Sequence, residues 1–381
     1  MSLNFDLSRE QSMIRDLARE FAEGEVAPGA AERDKTGRFP LELVRRMGEL
    51  GLLGIPIPEA YGGTGGDTVA YALAVEEISR ADGSLGLTMA DHCSIGMGPV
   101  LYFGTEEQKK QWLPGAARGE YLASFGLTEP EAGSDAAATR TTAVRDGEGW
   151  VLSGSKSFIT NAYYCGYIVC TAVTRPGEGH RGISAFIVPN PTPGFTIGPA
   201  YEKMGLRSSD TRPLYFDQVR LPADALLGQE GEGFRQFMIT LDGGRISIGA
   251  MAVGIAQAAL DAALAYARQR VQFGQTISKF QAIQFKLADM AMEIELARNM
   301  VLKAAWLKDQ GRPFTREAAM AKLFASETAV RAANQAIQIH GGAGYMEDLP
   351  VSRFWRDAKL TEIGEGTSEI QRLVIARHLG C

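Results

Sequence analysis

The residue best placed to do chemistry is Glu365, in the run TEIGEGTSEIQRLVIAR over residues 361–377. Glycine on both sides lets the backbone approach a ligand and leaves the carboxylate unshielded by neighbouring side chains. A carboxylate in that setting can act as a general base, above all where an apolar ligand desolvates it and raises its pKa. The competing reading is a solvated, inert loop glutamate. Ser368 and Gln371 match a capping box, which predicts that the last helix starts there, just beyond Glu365.

A second chemical text is SFGLTEPEAGSD, residues 124–135. Thr128, Gly133 and Ser134 offer two hydroxyls and bare backbone N–H groups, the donors that a phosphate or the pyrimidine edge of a flavin requires. An ordinary turn between domains is the alternative. In KSFIT, residues 156–160, Phe158 can lie against an aromatic ring while Thr160 offers a hydroxyl; packing of Phe158 in the core is the plainer reading. Two polar breaks interrupt apolar helical text, ARQRVQFGQ at 267–275 and QIHGGAGYMED at 338–348. Arg270 can meet a phosphate, and Gly341 to Gly344 can let a diphosphate reach the backbone, although a helix terminus with a solvated arginine or a glycine cap is the plainer reading of each. His340 reads as a packed histidine that makes one hydrogen bond.

The elements that must hold these residues divide the chain into three parts. At 381 residues the length suggests two or three domains at roughly 150 residues each. Residues 1–124 read helical, with capping boxes at Ser8/Gln11 and Thr105/Gln108, helical spacing in 40–53 and 68–79, and a glycine-rich connector, PEAYGGTGGD, that contains no GxGxxG. Residues 125–232 carry short β-branched and aromatic runs, punctuated by Gly or Pro, that predict a small antiparallel barrel or sandwich. Residues 233–381 return to the helical period; Ile283, Leu287, Met290, Ile294, Ala297, Val301 and Ala304 form one stripe, and a bundle follows. The fold class is therefore α+β, without the alternating βαβ order of a parallel nucleotide-binding sheet.

Composition removes several classes of function. Lys and Arg number 39 against 45 Asp and Glu, a formal charge of −6 without a basic block, which argues against nucleic acid as a partner. The longest apolar stretches, such as Ile246 to Leu260, fall short of the ~20 residues of a membrane span. The N-terminus has no basic region followed by an apolar one, so no secretory signal is read and a reducing cytoplasm is expected. Cys93, Cys165, Cys170 and Cys381 form no CxxC pair and lie at no metal-ligand spacing from a histidine; buried free thiols and no metal site are expected.

PEAYGGTGG, LTEPEAGSD, KSFITNA, RVQFGQ, QIHGGAGY and EGTSEIQR stand in one order that resembles the acyl-CoA dehydrogenase family over essentially the whole chain. The resemblance implies an N-terminal helical domain, a central β domain and a C-terminal four-helix domain, assembled as a homotetramer, a dimer of dimers, with extended FAD between domains and across a subunit interface. Phe125, Leu127, Thr128, Gly133, Ser134, Phe158, Ile159 and Thr160 match positions lining the flavin of their own subunit, Phe158 standing where Trp is commoner. Arg270, Phe273, Gln281, Gln338, Gly341 and Gly342 match segments that reach a neighbour's FAD, and Thr367 and Glu369 match those near its diphosphate and adenosine. Ser134, Asp242, Arg245 and Gly366 correspond to positions that contact the CoA substrate or its thioester.

By the same resemblance Glu365 removes the pro-R α-proton of an acyl-CoA, the β-hydrogen leaves as hydride to flavin N5, and a trans-2-enoyl-CoA results, a step of fatty acid β-oxidation. The site must stabilise enolate-like charge on the thioester oxygen. In the family the flavin ribityl 2'-hydroxyl and the backbone N–H of the base do so, and reduced flavin passes electrons to electron transfer flavoprotein. Many relatives carry Tyr or Leu where this chain has Gly364, which leaves room in the acyl pocket; the text LDGGRISIGAMAVGIAQ resembles the short-chain, butyryl-type branch. An acyl-CoA oxidase on the same fold and a non-catalytic acyl-CoA-binding protein are the competing readings.

Overall fold

The computed structural model describes residues 6–381. The first five residues, on which part of the leader reading rests, lie outside it. Seven helices come first: α1 (Arg9–Phe21), α2 (Ala30–Thr36), α3 (Leu41–Glu49), α4 (Thr68–Ala81), α5 (Gly83–Ala90), α6 (Gly98–Phe103) and α7 (Glu106–Ala117). Both expected capping boxes form, at Ser8/Gln11 and at Thr105/Gln108. Nearly every side chain of α4 is buried, because it runs through the middle of the helical layer. A π-helical turn over Asp91–Gly96 follows α5 and widens the backbone there. His92, neutral because burial lowers its pKa to about 4, accepts from Ala123 N at 2.9 Å and lies 3.1 Å from Ala116 O. It fixes this turn against the first strand.

The sheet comprises β1 (Leu122–Gly126), β2 (Thr142–Asp146), β3 (Gly149–Thr160), β4 (Cys165–Val173), β5 (Ile183–Pro189), β6 (Phe195–Ile197), β7 (Thr211–Leu221) and β8 (Leu226–Leu227). Their order is β6-β7-β3-β2-β4-β5-β8, with β1 beside β4. Most pairs are antiparallel as expected, but β1 runs parallel to β4, Leu122 opposite Cys165. The departure has a topological cause: the chain leaves β1, makes the β2–β3 hairpin, and returns to lay β4 against β1 in the same direction. The strand also begins before residue 125, within sequence that reads as helical. Trp150, Leu152, Ile168, Phe186, Leu214 and Phe216 fill a core of the sheet's own.

The remaining long helices are α8 (Gly233–Gln269), α9 (Gln281–Asp309), α10 (Thr315–His340), α11 (Val351–Thr361) and α12 (Ser368–Leu379). A short hairpin, β9 (Val271–Gln272) and β10 (Gln275–Thr276), separates α8 from α9. Alanines on α10, among them Ala318, Ala321, Ala325, Ala329 and Ala333, are fully buried and allow close helix approach. The stripe of α9 is buried from Met290 to Ala304, while Ile283 and Leu287 pack at its margin. The 37-residue α8 is longer than its apolar text suggests and is apolar enough by length and composition to cross a membrane, yet 67% of its most apolar window is buried within this chain. That surface is used in the core, where it joins the first and last helical layers. Cys93, Cys165 and Cys170 are buried thiols; Cys381, contrary to expectation, is exposed, since it lies beyond α12 and packs on neither core.

Candidate active site

Between α11 and α12 the chain makes a tight loop in which Glu365 takes φ 53° and Gly366 φ 96°. The left-handed region is costly for a residue with a side chain, so something must hold it. Lys322 Nζ, from α10, donates to Gly366 O at 2.7 Å, and Gln371 Nε2 donates to Gly366 O at 2.9 Å and Glu365 O at 3.3 Å. Ser368 N closes the loop on Glu362 O at 2.9 Å. Gln371 is therefore not the partner of a Ser368 cap. Thr367 caps α12, its hydroxyl accepting from Ile370 N at 3.3 Å, and the expected Ser368/Gln371 box does not form because Gln371 serves the loop carbonyls.

The Glu365 carboxylate is neither solvated nor unshielded. Both its oxygens are buried and meet no donor. One side of it rests on Gly244 of α8, where a Cβ would overlap Oε2 and stand 2.8 Å from Ile95 Cγ2. Burial raises its pKa well above the usual carboxylate range, the charge of Asp91 raises it further, and Lys322 and Arg245 oppose the shift. Asp91, on the π-helical turn, is itself pushed up to about 6 by burial. Lys322 is fully buried and lowered to about 8 by that burial, against the pull of Glu365. A carboxyl with raised proton affinity, a second carboxylate and two cations are thus gathered in one place.

Arg245 is buried and ion-paired with Asp242, which also accepts from Thr315 Oγ1. Thr315 in turn lines a surface cavity of about 460 Å³ with Lys303, Arg312, Arg316 and His378. The polar chain from Glu365 through Arg245 and Asp242 leads outward to basic side chains, which suits a ligand whose reactive end is buried and whose outer end carries anionic charge.

On the sheet side, Ser157 N donates to Thr128 O at 2.8 Å, so LTEPEAGSD and KSFIT are joined at the ends of β1 and β3. Ser124 Oγ donates to Thr160 O at 2.8 Å. Glu129 organises this loop: although burial opposes it, the Lys156 ammonium 2.7 Å away, with donors from Thr139 and Thr141, holds its carboxyl at about 2. Lys156 is fully buried, so Glu129 is its counter-ion and not a free acid. Phe158 has φ 60°, is 64% exposed and leans on Tyr201, which excludes its packing in the core. Ile159 points the other way, into the sheet, leaving only its backbone for a ligand. Leu127 is partly buried, Phe125 stacks on Phe237 at 4.1 Å, and Gly133 and Ser134 are exposed.

Arg270, Phe273, Gln281, Gln338, Gly341 and Gly342 are all exposed at the far end of the bundle, away from Glu365. Tyr266 stacks on His340 at 4.3 Å, which brings the ends of α8 and α10 side by side. His340 Nδ1 lies 2.7 Å from Ala336 O, as its packed role requires. The segment after α8 is a hairpin and not simply a helix end. Its turn residues, Phe273 and Gly274, have φ 51° and 79°. A phenylalanine 94% exposed in that conformation serves neither the turn nor the core.

Three family models cover nearly the whole chain: the acyl-CoA dehydrogenase N-terminal domain over residues 8–120, the middle domain over 124–219 and the C-terminal domain over 231–380. The chain belongs to the acyl-CoA dehydrogenase family. It is 62% identical to the probable acyl-CoA dehydrogenase YngJ of Bacillus subtilis, over 99% of this chain and 100% of that one. Among solved structures it is similar to butyryl-CoA dehydrogenase from Megasphaera elsdenii, with a TM-score of 0.98, 46% identity and all of both chains covered. It also matches a chain in a structure of the electron transferring flavoprotein of Acidaminococcus fermentans, with a TM-score of 0.98, 48% identity and 99% of each chain covered.

Members of the acyl-CoA dehydrogenase family are flavin-dependent oxidoreductases, and the residues here fit that cofactor chemically. Thr128 and Ser134 offer hydroxyls in the loop after β1, Thr160 at the end of β3 gives its hydroxyl to Asp91, Phe158 offers an exposed ring, and nothing stands within 4 Å of a Cβ built at Gly133, Gly341 or Gly342. The sequence motifs do not point to Asp91, Lys322, the loop role of Gln371 or the contact of Gly244 with Glu365. A glycine pair, Gly243 and Gly244, inside a buried helix was the one available signal, since glycine there costs helix stability and implies a close approach.

Proposed function

We propose that this acyl-CoA dehydrogenase family member oxidises the Cα–Cβ bond of a short-chain acyl-CoA thioester to the trans-2-enoyl-CoA, with Glu365 as the base. The observation that carries the reading is the buried, donor-free Glu365 carboxylate against Gly244. A carboxylate without hydrogen-bond donors has its basicity unspent, and weakly acidic α-protons require such a base. Glu365 takes the α-proton on a carboxylate oxygen while its backbone N–H faces the thioester oxygen. Lys322 and Gln371 keep that N–H and carboxylate in register by fixing the carbonyls of the loop. The basic cavity beside Asp242 accommodates the phosphates of CoA, and Ser134 and Gly366 border the path between.

FAD, when bound, supplies the acceptor for the β-hydride. Phe125, Thr128, Gly133, Ser134, Phe158 and Thr160 would hold it in one subunit, with Thr367 and Glu369 toward its diphosphate. The exposed group around Arg270, Phe273 and Gln338 would meet the cofactor of a neighbouring subunit in a tetramer. The division at residues 124 and 232 follows the same plan. A reduced flavin must be reoxidised, and electron transfer flavoprotein in the cytoplasm would serve as its acceptor, in keeping with the similarity to a chain in a structure of electron transferring flavoprotein.

Anaerobic stopped-flow reduction by butyryl-CoA tests the assignment. Glu365→Gln keeps the shape and the backbone N–H, so it should bind FAD and ligand while flavin bleaching near 450 nm slows by at least ~10²–10⁴-fold. Glu369→Gln should weaken FAD before it touches the rate, since Glu369 sits at the start of α12, where its own backbone N–H lowers its pKa. Rapid bleaching in a fully flavinylated Glu365→Gln would mean that another group is the base.

A further inference from the structure

Among the described residues, five charged side chains are gathered at the buried end of the site: Asp91 on the π-helical turn, Asp242 and Arg245 on α8, Lys322 on α10 and Glu365 on its loop. Arg245 is committed to Asp242, and Lys322 donates to Gly366 O. With all groups ionised, three carboxylates would face two cations in a largely buried region. Asp91 Oδ1 and both Glu365 oxygens are buried and find no donor. Two carboxylates offer each other only acceptors, so their contact becomes a hydrogen bond once one proton lies between them. That same proton makes the five-residue cluster neutral.

We propose that Asp91 is a positioning residue that shares one proton with Glu365 in the substrate-free site. The inference rests on the reading of Glu365 as the base. The proton rests on Glu365, whose hydroxyl donates to the ionised Asp91, because the charge of Asp91 adds to burial in raising the proton affinity of Glu365. The pair gives up this proton before the reaction; when Glu365 then takes the α-proton, its hydrogen bond to Asp91 re-forms and the α-carbon keeps the electron pair of the broken C–H bond. Asp91 also meets Thr160, the last residue of β3, so it links the base to the end of that strand. Its chain neighbour His92 points away, to Ala123 and Ala116. From α4, the buried Tyr71 hydroxyl donates to Ala90 O at 2.9 Å, and the Thr160 hydroxyl donates to Asp91.

The pair titrates as a unit. Removing the charge of Asp91 removes its repulsion of the Glu365 carboxylate and so lowers the proton affinity of the base. In the FAD-loaded enzyme, Asp91→Asn should therefore move the acid limb of the flavin-reduction rate against pH downward by about one unit or more, a tenfold change in proton affinity. Asp91→Glu, which keeps the carboxylate, should leave the limb within a few tenths of wild type. Asp91→Ser gives the same test as Asn if the amide variant does not yield yellow protein. A purely structural role for Asp91 would lower the rate at every pH without moving the limb, and an unmoved limb in both uncharged variants overturns the proposal. Glu365→Gln measured beside them separates the two readings. If that variant still reduces its flavin rapidly, the base assignment fails and the proposal with it; if it is inert while the Asp91 limb stays fixed, only the shared proton is lost.

Discussion

The carboxylate of Glu365 lies directly on the bare Cα of Gly244, so a loop residue and a residue inside a 37-residue helix occupy space that only one side chain can fill. Gly244→Ala tests this contact. Its Cβ would overlap Oε2 and press on Ile95, and the carboxylate is the part free to move. A displacement of about 1 Å at a reacting group can cost ~10²-fold in rate. The variant should bind FAD normally and reduce it at least ~10²-fold more slowly. Wild-type rates would show that the base has another productive position.

Gly364 precedes the base, and there the space runs the other way. A Cβ built on it meets only Leu360, at 3.6 Å to O and 3.7 Å to Cγ, which is ordinary contact. Its φ lies outside the positive range, so a side chain is tolerated. Gly364→Tyr should fold and cut turnover of longer or branched acyl-CoAs more than that of butyryl-CoA, by sterics alone. Equal losses across a chain-length panel would show that this wall does not set specificity.

Arg270, Phe273 and Gln338 are exposed far from Glu365, Phe273 meeting only the edge of Phe280 among the described rings. Arg270→Glu replaces a cation by an anion where a neighbour's diphosphate is expected. Flavin content after gel filtration should fall several-fold, more at low ionic strength, while the circular dichroism of the helices stays unchanged. Full occupancy at micromolar protein would remove this end of the bundle from the cofactor site.

Much of this arrangement is legible from residue order. Periodicity separates helical from strand text, and Ser8 and Thr105 announce their helices because a cap is local chemistry. Glu365 stands out through its flanking glycines. What stays hidden depends on distant chain segments meeting. The parallel β1–β4 pair needs a crossover that no local pattern encodes, and Gln371 reads as a capping partner until Gly366 O competes for it. Asp91 and Lys322 lie in α-helical text without any motif, and their importance comes from burial beside Glu365. Phe273 is visible as a residue but its φ of 51° in a two-residue turn is not, since Asn or Gly is the usual signal for that conformation.

Lys322 is the cation that balances the base, and its replacement should act in the opposite sense to loss of Asp91. In Lys322→Met the side chain keeps much of its volume, and Gln371 still holds Gly366 O. The lost positive charge no longer favours ionised Glu365, so the acid limb of the reduction profile should move to higher pH. Stability gives a second reading. Burial lowers Lys322 to about 8 in the folded chain, whereas an unfolded lysine titrates near ~10.4. Between those values the unfolded chain binds more protons, so Lys322 makes folding more favourable as pH rises through that window. Below pH 8 it is charged in both states and its contribution is flat. The Met variant should therefore lose part of the rise in denaturation midpoint between pH 8 and 10, measured on FAD-loaded protein at fixed concentration. A limb that moves downward, or an undiminished rise in midpoint, would show that Lys322 neither faces the base nor sheds its proton in that range.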